Sequence, residues 1–142
     1  MALRFFTVYG EWGRPDMAYW TFLKKLTTGK VIAILGCGGD RDKSKRPLMG
    51  QALVDGSDYA IFTSDNPRSE DPKQILKEMV GSNSGQIIEN RKTAIEHAVS
   101  MAKPGDVVAI LGKGHETGQE INGEKFPFDD RLVLANAIAG NR

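Results

Sequence analysis

The sequence predicts an α/β protein with a mostly parallel sheet, helices on its faces and an antiparallel hairpin at its edge. Three observations predict this. Short apolar runs alternate with helical patterns along nearly the whole chain, the order expected of βαβ units. The run "VIAILG" (31–36) is continuously apolar and β-branched, as in a strand buried on both faces. Asn122-Gly123 stands between alternating residues late in the chain, which signals a hairpin.

Taken in order, "LRFFTVYG" (3–10) is strand-like, and "RPDMAYWTFLKKL" (14–26) reads as a helix with Pro15 and Asp16 in its first turn. The strand 31–36 leads through a polar loop to a helix over 46–56, which Gly56 could close. "DYAIFTS" (58–64) is the next strand, and a helix over 71–82 is capped by Asp71. A short strand at 86–90, a helix at 91–102 and a strongly apolar strand at 106–112 follow. The hairpin occupies 119–128, and "DDRLVLANAIAG" (129–140) closes the chain as a helix. Repeats, low-complexity tracts and linkers are absent from the sequence.

Bulk properties narrow the function. The 142 residues suit one domain. With 19 basic and 18 acidic side chains the net charge is +1, so no charge excess argues for a nucleic-acid or membrane partner. The single cysteine, Cys37, rules out an internal disulfide and suits a reducing compartment. No signal-peptide pattern opens the sequence, and no apolar run reaches the ~20 residues of a membrane span. The expected location is the cytoplasm.

Ligands of open α/β sheets bind beyond the carboxyl ends of the strands. Three polar loops fall at such positions: "GCGGDRDKSKR" (36–46), "SDNPRSEDP" (64–72) and "GKGHETGQ" (112–119). The first matches neither GxxxxGK[ST] nor GxGxxG. It is either a solvated basic turn or an anion site in which Arg41, Lys43, Lys45 or Arg46 meets a phosphate or carboxylate. In the second, Asx-turns, Pro67 and the Asp71 cap account for every residue except Arg68. A guanidinium in a rigid turn suits a two-pronged grip on a carboxylate, or it could brace the turn by pairing with Glu70 or Asp71. The third loop gathers Gly112, Lys113, Gly114, His115 and Glu116. Gln119 stands where HExxH would need its second histidine, and His97 lies among apolar neighbours on a helix, so no metal site is expected. Cys37 reads as a small packing residue.

The segments "GCGGDRDKSKRPLMG", "TSDNPRSEDP" and "LGKGHETGQ", in this order and spacing, closely resemble the C-terminal domain of the Mur ligases, in the type that adds meso-diaminopimelate. The resemblance runs from about residue 29 to the end and includes "FPFDDR" (126–131). It implies a Rossmann-like sheet with one antiparallel strand. It also implies ATP-dependent amide formation in peptidoglycan precursor synthesis, through an acyl phosphate on the acceptor UDP-MurNAc-L-Ala-D-Glu. Under it, Arg41 grips a substrate carboxylate, and Asp65, Asn66, Pro67 and Arg68 form the motif that distinguishes diaminopimelate from lysine enzymes. Gly112 and Glu116 bind the far amino group. Lys43, Lys45, Arg46, Lys113 and His115 are candidates for facing the nucleotide's phosphates, and no catalytic residue is expected in this chain.

The departures from the family pattern carry expectations of their own. The whole sequence reads as one C-terminal domain (1–142), with no UDP-sugar domain and no central ATPase domain. ATP and Mg2+ would be held mainly by the latter, and none is expected to bind this chain alone. The family's "DYAHTPD"-like opening is matched by "VYGEWGRPD" (8–16), which keeps only Pro15 and Asp16. Both an excised ligase domain and a natural stand-alone protein fit. The alternative function is a non-catalytic module that binds diaminopimelate or a stem-peptide fragment, or that acts in trans with a separate ATPase chain.

Overall fold

The computed structural model describes residues 29–140. The expected strand at 3–10, the helix at 14–26 and the segment 8–16 therefore lie outside the described residues. Within them the order is β1 (Val31–Cys37), α1 (Lys45–Gly56), β2 (Tyr59–Ser64), α2 (Pro72–Val80), β3 (Gln86–Ile87), α3 (Arg91–Met101), β4 (Val107–Leu111), β5 (Gly118–Ile121), β6 (Glu124–Pro127) and α4 (Asp130–Gly140). The first four strands form one sheet in the order β3-β2-β1-β4, and every pair is parallel.

Alternation along β1 explains the two-sided core. Val31, Ala33, Leu35 and Cys37 pack with Leu53 of α1 and Ile75, Leu76 and Met79 of α2. Ile32 and Ile34 point the other way, onto Ala94, Ile95 and Ala98 of α3, with Val133 and Leu134 of α4 at the margin. All seven β1 residues are buried, as a central strand between two helical layers requires. The two helices of the first layer touch closely because Gly50 lies against the Met79 carbonyl, where a Cβ would collide.

Helix ends follow local chemistry. The Asp71 carboxylate accepts the Lys73 amide at 3.0 Å and Pro72 opens α2, as the sequence predicts. Asn90 caps α3 in the same way through Thr93. The end of α1 differs from expectation. Gly56 stays inside the helix, and the C-cap is Ser57 in extended conformation, whose hydroxyl donates to the Leu53 carbonyl at 2.7 Å. Strand β3 is shorter than 86–90, yet the amides of Ile88 and Ser64 bond the carbonyls of Phe62 and Glu89, so the chain stays alongside β2.

The hairpin is antiparallel and turns at Asn122-Gly123, both with positive φ. It stands as its own two-stranded sheet, and a parallel bridge from Arg68 to Ile121 joins it to the loop after β2. No described helix is long and apolar enough to cross a membrane.

Candidate functional site

Strand order decides where a site can form. From β1 the chain moves outward to β2 and β3, then crosses back to place β4 on the other side of β1. The carboxyl ends of β1 and β4 thus flank a topological switch point, where loops diverge and leave a crevice. The three polar loops follow β1, β2 and β4, so adjacency in the sheet brings them together. Glycines let the backbones close up. A Cβ on Gly112 (φ +107°) would stand 2.8 Å from the Gly36 carbonyl oxygen, and one on Gly36 would stand 2.9 Å from Asp65 Cβ.

Lys113 is fully buried at the centre of the cluster. Its ammonium lies 3.0 Å from Asp65 Oδ1 and donates to Asn66 Oδ1 at 3.0 Å and to the Gly118 carbonyl at 2.9 Å. Asn66 is thereby oriented: its Oδ1 also accepts the Glu120 amide, and its Nδ2 donates to Glu116 Oε2 at 2.6 Å. Glu116 itself is half exposed, so one face of its carboxylate opens to solvent.

Arg46 anchors the other flank. Its guanidinium is buried and reaches Glu70 through both Nη atoms at 2.8–3.0 Å, Glu78 at 2.6 Å and the Gly38 carbonyl. Arg46, with help from Lys43 and the Asp40 amide, holds the Glu70 carboxyl down to about 2. The loops after β1 and β2 are thus clamped to each other and to α2. Asp40 completes the clamp by accepting from the Ser69 hydroxyl.

Arg68 sits between these two clusters with a backbone φ of +52°, a conformation that costs a non-glycine residue about 1–2 kcal/mol. Hairpin backbone holds it there: its amide donates to the Glu120 carbonyl at 3.1 Å, and its carbonyl accepts the Asn122 amide at 2.7 Å. Its Nη1 donates to the Gly39 carbonyl at 2.6 Å, and its Nε lies 3.6 Å from Glu120 Oε2. None of the loop's three carboxylates neutralises it. Asp65 pairs with Lys113, Glu70 with Arg46 and Lys43, and Asp71 caps α2. Bracing by Glu70 or Asp71 is therefore not the arrangement found.

The structure brings Asp65, Asn66, Pro67, Arg68, Gly112 and Glu116 to one edge of the sheet, with Arg41 exposed on the neighbouring loop. The five residues expected to face phosphates divide. Lys43, Lys45 and His115 are exposed. Arg46 and Lys113 are not available to a phosphate: each is buried and bonded to carboxylates of its own fold. In a crowded loop a cation is neutralised by the nearest internal carboxylate. Among the described residues no group of His, Cys, Asp and Glu could hold a metal ion, and His97 bonds Gln86. Cys37 packs against Met49, its thiol pushed up to about 12, chiefly by burial.

Sequence reasoning missed two parts of the site. Glu120 and Gln119, which binds the Asp65 carbonyl, are hairpin residues 54 positions from their partners, and nothing local marks them. Below the site, Arg91 on α3 grips Asp130 at the start of α4 through two hydrogen bonds of 2.7–2.8 Å and also reaches the Leu111 carbonyl. The "FPFDDR" motif thus contributes a buried ion pair that fixes the end of β4.

Comparison with known proteins agrees with this fold. The family model described as Mur ligase, glutamate ligase domain, matches residues 17–114. The chain is 52% identical over 121 residues to the UDP-N-acetylmuramoyl-L-alanyl-D-glutamate–2,6-diaminopimelate ligase of Geobacillus kaustophilus, covering 82% of this chain and 25% of that protein. It is 50% identical over 122 residues to the protein of the same name from Aquifex aeolicus, covering 83% and 25%. A solved structure of a ligase of that name superposes with a TM-score of 0.79 at 44% identity, covering 85% of this chain and 26% of that one. The chain spans about a quarter of the length of these relatives.

Proposed function

Because the chain belongs to the Mur ligase family, whose C-terminal domain it represents, we propose that it receives meso-diaminopimelate in an ATP-dependent ligase joining that amino acid to UDP-MurNAc-L-Ala-D-Glu. The observation that carries this reading is Arg68. It is held in a strained backbone conformation at the end of β2, is left alone by every carboxylate of its own loop, and is 23% exposed at its side chain. Among the described residues its Nη2 makes no hydrogen bond, so the outer end of the guanidinium is open to a ligand.

Diaminopimelate differs from lysine by one carboxylate on its distal carbon. Arg68 supplies a planar donor pair for that group. Glu116, aimed by Asn66, complements the neighbouring ammonium, and the Gly112 carbonyl can accept another of its protons. Arg41 meets the carboxylate that lysine and diaminopimelate share. Lysine would leave the outer, Nη2 end of Arg68 without a partner. Since Arg68 is partly solvated, that penalty is about 1–2 kcal/mol, below the 2–5 kcal/mol of a fully buried pair. In the whole ligase, ATP and Mg2+ would supply the activated acyl phosphate. This chain's part is to present the amine, and its exposed Lys43, Lys45 and His115 border the same edge.

Titrating the purified chain with meso-diaminopimelate and with L-lysine tests the reading. The wild type should prefer diaminopimelate, at modest affinity because no second domain desolvates the site. Arg68→Ala should abolish the preference and Arg68→Lys restore it only in part. Arg41→Ala should weaken both ligands alike. Equal affinity of the wild type for the two ligands sinks the proposal.

A further inference from the structure

The Arg68 guanidinium has three outward sides, and two are already occupied in the folded chain. Nη1 donates to the Gly39 carbonyl, and Nε faces Glu120 Oε2 at 3.6 Å. Glu120 is itself firmly placed. Its amide donates to Asn66 Oδ1, its carbonyl accepts the Arg68 amide, and it lies opposite Lys125 in the hairpin register. The backbone of one residue thus splints the loop while its side chain meets the loop's cation. A Cβ on Gly38 would stand only 2.8 Å from Arg68 Nη1, so the guanidinium is also confined from the β1 side.

We propose that Glu120 is a specificity-determining positioning residue, which by pairing with Arg68 Nε reserves the Nη end of the guanidinium for the ligand and competes with the ligand's carboxylate for its charge. The inference rests on the reading that Arg68 receives the distal carboxylate of diaminopimelate. Glu120 makes two contributions. Standing 3.6 Å from Nε, the Glu120 carboxylate disfavours a side-on approach and directs an incoming carboxylate to the end-on one. Its negative charge, close to the ligand's own, opposes any group that brings a carboxylate and leaves lysine unaffected at that position. Diaminopimelate affinity is then deliberately moderate, while an empty site keeps its arginine neutralised and in place.

The test is Glu120→Gln, which keeps the shape of the side chain and removes its charge. Calorimetric titration should show diaminopimelate binding tightened by about two- to fivefold, the factor a partly exposed ion pair is worth. Lysine affinity should stay as in the wild type, and Tm should fall only by the small share that this ion pair supplies. In NMR spectra the Arg68 Nε resonance should shift in the variant, as the carboxylate charge beside it is removed. A purely structural Glu120 would instead weaken both ligands together. If Glu120→Gln does not fold, as seen by circular dichroism, Glu120→Asp replaces it; the shorter side chain draws the carboxylate off Nε and should tighten diaminopimelate by a smaller factor. If the wild type prefers diaminopimelate and the variant's ratio of affinities is unchanged, the Glu120 assignment alone falls. If the wild type shows no preference, the reading of Arg68 falls and this proposal with it.

Discussion

Removing the Lys113 ammonium would strand Asp65, whose side chain is 10% exposed and has no other cation within ion-pair distance among the described residues. Lys113→Met should therefore lower Tm, and it should also erase ligand selectivity by freeing Asn66 from the bond that orients it. Thermal melts paired with diaminopimelate titration check both effects; a stable variant with intact selectivity would contradict this role. The buried pair beneath gives a larger effect. Asp130→Ala leaves Arg91 charged and buried, which costs about 3–5 kcal/mol. Denaturant unfolding should show the loss. A cost under about 1 kcal/mol would mean that water reaches Arg91.

At the scale of elements, the sheet and its helices were readable because each is encoded by neighbours. The β-branched run specified β1, Asp71-Pro72 specified the start of α2, and Asn122-Gly123 specified the hairpin turn. Asp71→Ala should cost about 0.5–2 kcal/mol with ligand preference unchanged, because the carboxylate serves only the cap. A loss of selectivity in that variant would show that the α2 cap also positions Arg68. Where the hairpin docks was illegible. Its hydrogen bonds to Arg68 are backbone ones, and those to Asp65 and Asn66 each set a side-chain amide against backbone, so no pair of side chains across the 54 positions marks the docking. The ion pairs of Arg46 and Lys113 were illegible for a related reason. Composition announces a cation, whereas its partner is chosen by the fold, here Glu70 and Glu78 in one case and Asp65 in the other.

The molecule as a whole should be sensitive to acid. Arg46 chiefly holds the Glu70 carboxyl near 2 against an ordinary 4.5, and Arg131 holds Asp129 near 2 against 3.8. Both values are depressed in the folded state, so the stability they supply is present above the ordinary values and is lost as pH falls toward 2. The urea midpoint should drop across that window, and Glu70→Gln should flatten the slope. An equally steep profile in Glu70→Gln would place the acid sensitivity elsewhere. No GxxxxGK[ST] stretch occurs in the sequence to match the ATP-dependent chemistry proposed for the whole ligase, so the purified chain should release no phosphate from ATP when given diaminopimelate and the acceptor. Steady release would overturn that expectation.

The hairpin's grip on the loop after β2 also orders events in time. A ribosome delivers Asp65 and Asn66 54 residues before the Gln119 and Glu120 that hold them. Until then Arg68 has no hairpin backbone to stabilise its positive φ, and the loop should sample many shapes while β1, α1 and β2 already pair locally. The proposed selectivity should therefore be acquired at the end of synthesis, in the same step that closes the long-range contacts. Chains halted before residue 118 should capture diaminopimelate and lysine equally poorly, and chains extended past 128 should discriminate between them.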